Sequence, residues 1–336
     1  MSRSPDAAPV FPIAMVGTFA VLASAPLWLH AVGLYPYLAV EIVIWMVFAL
    51  AHNLLLGQGG MPSFGHGAYF GVGAYAFGLC QQRLGAELLG GMAGAALCAA
   101  LVGAVVGCFI SHRRGIYYAL LTIAFGQVMW FVAIKWHTVT GGEDGLLKIA
   151  RPPLRVAGLE WSLVDNTAFY GFVLAVFALV VVFLWRLVHS PWGRVLRAIK
   201  QNEMRASFVG YNVWLYKWSA FVLSAAISGI AGGLFAMAQN SAYPNVMSLH
   251  NSGFVVMMVL IGGGLVSFWG PVIGAAVFIL TRDLLGAYTE AWLLWYGLVF
   301  MAVVLFQPDG IAGIWQAWRR RSAASAAARA LRRQEA

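Results

Sequence analysis

Apolar runs of membrane-spanning length alternate with short polar stretches along nearly the whole chain. Ten such segments fall approximately at 10–30, 36–56, 64–81, 88–110, 115–135, 167–187, 217–239, 251–267, 270–286 and 291–307. A spanning helix needs about 20 apolar residues, and in lipid only a helix or a closed barrel satisfies its own backbone. Strand-like alternation of period two is absent, which argues against a barrel. The expected fold is an all-α, polytopic transmembrane helical bundle of about ten membrane segments with glycine-rich helix breaks. It divides into a short arm at 1–9, a transmembrane unit at 10–315 and a basic tail at 316–336.

The longest strongly polar interruption, 186–217, carries Arg186, Arg194, Arg197, Lys200, Arg205 and Lys217 against one carboxylate, Glu203. So basic a loop beside a bilayer belongs on the cytoplasmic side. It carries helix punctuation as well. Ser190 fits an N-cap with Pro191 at the first helical position. Trp192, Val195, Leu196 and Ile199 then share one face, and Arg194, Arg197 and Lys200 another. Asn202 fits the cap of a short second helix from Glu203 to Val209, stopped by Gly210. Two readings fit this knuckle: a docking element for a cytoplasmic partner, or a positive-inside loop with no partner.

Ten segments with this loop inside place both termini inside. On that assignment 15 of the 21 Lys and Arg residues lie inside and six outside, including Arg83, Arg151 and Arg282. Parity and charge bias agree. The composition supports a membrane protein, with 61% hydrophobic and 10% charged residues against roughly 25% charged in soluble domains. The net charge of +9 then reads as orientation signal rather than a nucleic-acid footprint. Cys80, Cys98 and Cys108 lie in or at the ends of apolar runs, an odd number that argues against a disulfide framework. No metal-ligand spacing is present. Arg3, an apolar run and Ala23-Ser24-Ala25 mimic a cleavable signal, but further spans follow.

Candidate chemistry concentrates in glycine-rich breaks and a few buried ionisable groups. Gly57-Gln58-Gly59-Gly60-Met61-Pro62 cannot be ordinary helix. Non-helical backbone at membrane depth survives only inside protein or beside a water-filled cavity. A solute could there meet free N–H groups at a helix N-terminus, near Asn53, Ser63 and His66; a tight turn leading into a closely packed helix fits equally. Gly263-Gly264-x-x-Ser267-Phe268 echoes Gly59-Gly60-x-x-Ser63-Phe64. Glu41 is a functional candidate as an intramembrane carboxylate, or else it reaches the outer interface. His52 and Asn53 fit helix-to-helix hydrogen bonds or caps, and His66 a packing or capping role. Small-xxx-small pairs at Gly67/Gly71, Gly90/Gly94, Gly103/Gly107, Gly229/Gly233 and Gly270/Gly274 indicate close helix packing. The long outer loop, 136–166, opens with a turn at Thr140, Gly141, Gly142, Glu143 and Asp144. That turn fits either a docking surface for a soluble partner or a solvated cap. Ser63 and His66 lack the geometry of a nucleophile, base and orienter.

Several stretches together resemble the inner-membrane permeases of bacterial branched-chain amino acid ABC transporters, specifically the LivM-like subunit. They are NLLLGQGGMPSFGHGAYFGVGAYAFG (53–78), RGIYYALLTIAFGQ (114–127), TGGEDGL (140–146), SPWGRVLRAIKQNEMRASFVGYNVWLYKWSAFVLSAAISGIAGGLFA (190–236), GFVVMMVLIGGGLVSFWGPVIGA (253–275) and QPDGIAGI (307–314). The resemblance implies a multi-pass permease without its own ATPase or cofactor, ATP and Mg being used by two cytoplasmic ATP-binding subunits. The chain itself has no G-x-x-x-x-G-K-[ST] phosphate loop. The resemblance further implies a second permease subunit, a periplasmic solute-binding protein, and a bacterial inner-membrane location. It makes the central loop the element that couples to the ATPase, here Ser190, Pro191, Gly193, Arg194, Arg197, Glu203, Arg205, Ala206 and Gly210. The family's Glu-Ala-Ala-x-x-x-Gly pattern is incomplete: Met204-Arg205-Ala206 precedes Gly210, and Glu203 stands one position early. Related urea, short-amide and sugar permeases remain alternatives, and an ion-coupled secondary transporter is another.

Overall fold

A computed structural model describes residues 17–24, 36–156, 159–265, 267–307 and 309–314. The arm at 1–9, most of the first expected segment and the tail at 316–336 lie outside them.

The described chain is predominantly helical. After α1 (17–24) come α2 (Pro36–Asn53), α3 (His66–Leu84), α4 (Leu88–Ile110) and α5 (Gly115–Lys135). A short α6 (His137–Thr140) opens the outer loop, and α7 (Asn166–His189) follows it. Next are α8 (Pro191–Gln201), α9 (Glu203–Phe208) and α10 (Val213–Gln239). The chain closes with α11 (Leu249–Gly262), α12 (Gly270–Tyr288), α13 (Trp292–Phe306) and a last turn, α14 (310–314). Among the described residues six helices are long and apolar enough to cross a membrane: α2, α4, α5, α7, α10 and α12. α11 and α13 are shorter apolar helices. α3 has spanning length, but glycine dilutes its apolar content.

The all-α expectation needs one correction. Four short strands interrupt the connections: β1 (Leu146–Leu147), β2 (Leu154–Val156), β3 (Leu159–Trp161) and β4 (Ser241–Ala242). β2 and β3 form a hairpin, with Leu154 opposite Trp161 and Arg155 opposite Glu160. β1 pairs antiparallel with β4 and straps the 136–166 loop to the α10–α11 connection. Runs of two or three residues are too short to show a period of two.

α2 is the hub: it lies against α7, α10, α11 and α12, and its spanning window is wholly buried. α3, α4 and α10 form one block through glycine. A Cβ on Gly232 would stand 1.8 Å from the Phe70 carbonyl oxygen, and one on Gly73 would stand 2.2 Å from that of Gly229. α11 and α12 form a second block, where a Cβ on Gly274 would meet the Met258 carbonyl oxygen at 1.8 Å. Four of the five small-residue pairs pack this way. The fifth does so in part: Gly94 lies against Cys80, whereas Gly90 meets no other segment. Trp45 of α2 stacks on Phe70 at 5.7 Å between ring centroids and meets Phe235 edge-on at 6.5 Å.

Apolar side chains that escape the core, such as Leu97, Leu101, Val105 and Phe109 on α4, point outward, as a bilayer solvent requires. Gly232→Leu should prevent accumulation of folded protein, because overpacking against backbone costs about 3 kcal/mol or more. Gly253→Ala, where no atom lies within 4 Å of the added carbon, should shift stability by no more than about 0.5 kcal/mol. Size-exclusion profiles and thermal midpoints in mild detergent measure both.

Candidate functional site

The distinctive geometry lies at one end of the bundle, where α2 breaks. Its last turn widens into a π-helical stretch, Leu54–Gln58, and the Met61 N–H bonds back to the Leu55 carbonyl at 3.0 Å. Gly60 then takes a left-handed φ of +66°. The second glycine break meets it there. A Cβ on Gly57 would stand 2.5 Å from the Gly264 carbonyl oxygen and 2.1 Å from Asn53 Oδ1. Gly263, with φ +84°, turns the α11–α12 connection at the same place. The echo between the two breaks is therefore a spatial meeting, although the left-handed positions fall one step out of register.

α8 and α9 lie across this end. Ser190 Oγ accepts the Gly193 N–H at 3.4 Å, Pro191 opens α8, and Asn202 Oδ1 caps α9 from the Arg205 N–H at 3.0 Å. Val195, Leu196, Ile199 and Ala206 are buried, while Arg194 and Arg205 are exposed. Arg197 and Lys200 depart from the expected outward polar face. Lys200 Nζ donates to the Gly57 carbonyl at 2.6 Å, and Arg197 Nη1 to Gln58 Oε1 at 3.5 Å. Glu203 also turns inward, because a cation awaits it: Oε1 pairs with Lys217 Nζ at 3.1 Å and Oε2 with Arg114. Lys217, only 2% exposed, donates in addition to the Arg113 carbonyl at 2.6 Å. Beside exposed Arg205 and Ser207, α9 and the residue after it present large apolar side chains to solvent, with Met204 57%, Phe208 82% and Val209 77% exposed.

A polar strip runs into the bundle from the break. His66 Nε2 lies 2.7 Å from Ser224 Oγ, and Ser224 Oγ donates to the Ala51 carbonyl at 2.6 Å. A hydroxyl has one proton to give, so Nε2–H donates to Ser224 and Nδ1 accepts from Ser63 Oγ at 3.0 Å. His66 is thus a fully bonded tie between α2, α3 and α10. The α3 N-terminus offers fewer free donors than expected. The Phe64 N–H is taken by Thr122 Oγ1 at 3.1 Å and the Gly67 N–H by Ser252 Oγ at 2.9 Å. Beside them, the His52 ring and Asn53 Oδ1 are buried with no hydrogen-bond partner among the described residues. Of the two expected roles, helix-to-helix bonds or caps, Asn53 occupies the cap position of the π-helical turn without a side-chain cap bond.

Glu41 is enclosed by protein. It is buried and accepts from Arg282 Nη2 at 2.9 and 3.0 Å and from Trp45 Nε1 at 3.3 Å. A span carrying a lone carboxylate and a cation assigned to an outer loop are in fact partners, 241 positions apart.

At the opposite end the 140–145 turn is built rather than loose. Thr140 is buried, the single proton of its Oγ1 shared between the Ala133 and Trp136 carbonyls, which lie at 2.6 and 2.8 Å. Gly141, Gly142 and Gly145 all have positive φ, and Glu143 and Asp144 stand exposed on the turn. Gln81 exchanges two bonds with Ala150, at 3.0 and 2.9 Å. Arg151 lies over Phe169 at 4.4 Å and donates to the Met237 and Ala238 carbonyls at the C-terminus of α10, where a cation complements the helix dipole.

A multi-pass bundle with paired backbone breaks, a capped helical knuckle across one end and a strapped loop at the other defines a membrane permease rather than a soluble enzyme. The chain belongs to the family described as branched-chain amino acid transport system / permease component, whose model matches residues 34–307. It is 27% identical over 288 residues to the high-affinity branched-chain amino acid transport system permease protein LivM of Escherichia coli (strain K12), covering 80% of this chain and 68% of that protein. With the protein of the same name from Salmonella typhimurium the identity is 28% over 297 residues, covering 82% and 69%. A probable branched-chain amino acid transport permease protein LivM from Methanocaldococcus jannaschii is 22% identical over 317 residues, covering 80% and 90%. No solved structure matches the chain significantly.

Breaking the Glu41–Arg282 pair should cost about 2–4 kcal/mol, because it strands one charge among apolar side chains. Glu41→Gln and Arg282→Met should therefore each lower the thermal midpoint. The double variant should be less damaged than the sum of the two, and a double-mutant cycle in detergent reads the coupling.

Proposed function

We propose that the chain is the transmembrane permease subunit of an ATP-binding-cassette importer for branched-chain or related amino acids. It takes them from a periplasmic binding protein and passes them across the bacterial inner membrane. The family match over residues 34–307 carries this reading, and the knuckle supports it. Met204, Phe208 and Val209 are exposed apolar side chains on and just after a short helix outside the spans, with exposed Arg205 among them. Apolar side chains with basic neighbours, at an end where water rather than lipid is the solvent, suit a soluble protein partner.

On this reading two cytoplasmic ATP-binding subunits supply ATP and Mg chemistry, and a second permease subunit completes the pore. On the same reading the apolar segments make ten membrane crossings with both termini cytoplasmic. The arm at 1–9 and the basic tail at 316–336 flank the 10–315 permease unit. Glu143 and Asp144, held out by a rigid turn, are the contact offered to the binding protein. The solute path passes the glycine breaks at Gly59, Gly60, Gly263 and Gly264 and the unmet polar atoms of His52 and Asn53. Ser63 and His66 form its wall.

Purification from bacterial membranes in mild detergent should bring along two ATPase subunits and a second permease. Reconstituted in vesicles with the binding protein, that complex should take up leucine, and not urea or ribose, only when ATP is supplied. Phe208→Asp should weaken ATPase co-purification by at least about tenfold, the scale of an interface hot spot, without reducing membrane insertion. Uptake by the isolated chain, or uptake that tracks an ion gradient without ATP, would refute the reading.

A further inference from the structure

Two basic residues of α8 face the broken end of α2, and only one makes a short bond. The Lys200 stem lies along Gly60, where an added Cβ would stand 2.8 Å from Lys200 Cγ. Its ammonium closes on the Gly57 carbonyl at 2.6 Å. Leu196, one turn earlier, lies 3.6 Å from the corresponding point on Gly59. One face of α8, at positions 196, 197 and 200, is therefore fitted to the four residues 57–60. Partial burial pushes the Lys200 pKa below its ordinary value, which reports the desolvation this contact demands.

Gly57 is also where three segments cross. Its own carbon lies under Asn53 Oδ1 and against the Gly264 carbonyl, with no room for even a methyl group. A displacement of Gly57 must therefore move Asn53 on α2 and the α11–α12 break with it. The carbonyl that Lys200 holds belongs to a π-helical turn, where the ordinary helical bonding register is interrupted. A cation on such a carbonyl is a tether of short reach.

We propose that Lys200 is a positioning residue that tethers the cytoplasmic knuckle to the α2 break, so that movement of α8 is passed to both glycine breaks. The tether transmits rather than drives: it biases the bundle only through its bond to Gly57, as coupling between two sites requires a shared element. Arg197 adds a longer, weaker contact to Gln58 beside it. This inference rests on the importer reading above.

The test uses the complete complex, with both ATPase subunits, the second permease and the binding protein, in vesicles. ATP hydrolysis and leucine uptake are measured on the same preparation, and the quantity read is leucine imported per ATP hydrolysed. Lys200→Met keeps the stem and removes the donor; Lys200→Arg restores a donor of similar reach. Lys200→Met should assemble and hydrolyse ATP at close to the wild-type rate, while the ratio falls by about tenfold, a typical size for a coupling between sites. Lys200→Arg should recover most of it. An unchanged ratio in Lys200→Met, or loss of assembly in both variants, would overturn the proposal, the second result marking Lys200 as merely structural. Failure of the wild-type complex to import leucine with ATP would refute the importer reading instead, and is distinguishable because it appears before any substitution.

Discussion

Backbone that leaves the helical register inside a membrane protein must find its partners in the protein itself. At Gly57 that partner is an ammonium from outside the spans, and the architecture of one end of the molecule follows from the fact. Lys200 reaches Gly57 only because Gly60 has no side chain to stop it. α8 is held over the break by Leu196, which lies beside Gly59, while Val195 and Ile199 bury their side chains with Ala206 against Val213 and Tyr216. The pair α8–α9 is then held from its other side, where Glu203 pairs with Lys217 and Arg114. The knuckle is fastened at both ends by charge and through its middle by apolar contact. What remains unfastened is the exposed patch on α9.

The same requirement explains the polar strip. Ser63, His66, Ser224 and Thr122 are buried among apolar side chains, and each has its hydrogen bonds met. Buried polar groups with partners are cheap, and those without are costly. The His52 ring and Asn53 Oδ1 lack partners among the described residues, as do the Tyr75, Tyr118 and Tyr296 hydroxyls elsewhere in the bundle, but they lie beside the break. They are consecutive on the most buried helix in the chain. His52 faces the His66 ring at 5.2 Å between centroids, and Asn53 faces the Gly57–Gly264 crossing.

Helix order and approximate limits over the described residues were legible in the sequence because long apolar runs and capping residues are local signals. Ser190, Pro191, Asn202 and Gly210 marked the knuckle for that reason, and α9 ends at Phe208, within two residues of the expected stop. The pairings were not legible. Nothing in the sequence joins Glu41 to Arg282, or Glu203 to Arg114, since no periodicity spans such separations. Lys200 was hidden for a subtler reason: on a helical wheel it belongs to the polar face, and a long stem let its head turn back toward the bundle. The buried, glycine-rich α3 showed the opposite effect. Glycine lowers apparent hydropathy while permitting the closest backbone contacts in the fold, so composition understated how central that helix is. The outer strands were too short to leave a pattern.

The two glycine-knit blocks set where such a molecule can yield. Within α3, α4 and α10, and again within α11 and α12, backbone meets backbone at separations that leave no room for a methyl group, so each block resists internal shear. Packed elements of this kind switch between discrete arrangements rather than deform continuously. α2 touches both blocks, as α5 does, and its ordinary bonding register gives way to a π-helical turn at 54–58. That is also where the knuckle is attached and where His52 and Asn53 carry their unmet polar atoms. On the tether proposed above, an input at the knuckle would reach those two side chains through Gly57, which Lys200 bonds and Asn53 crowds.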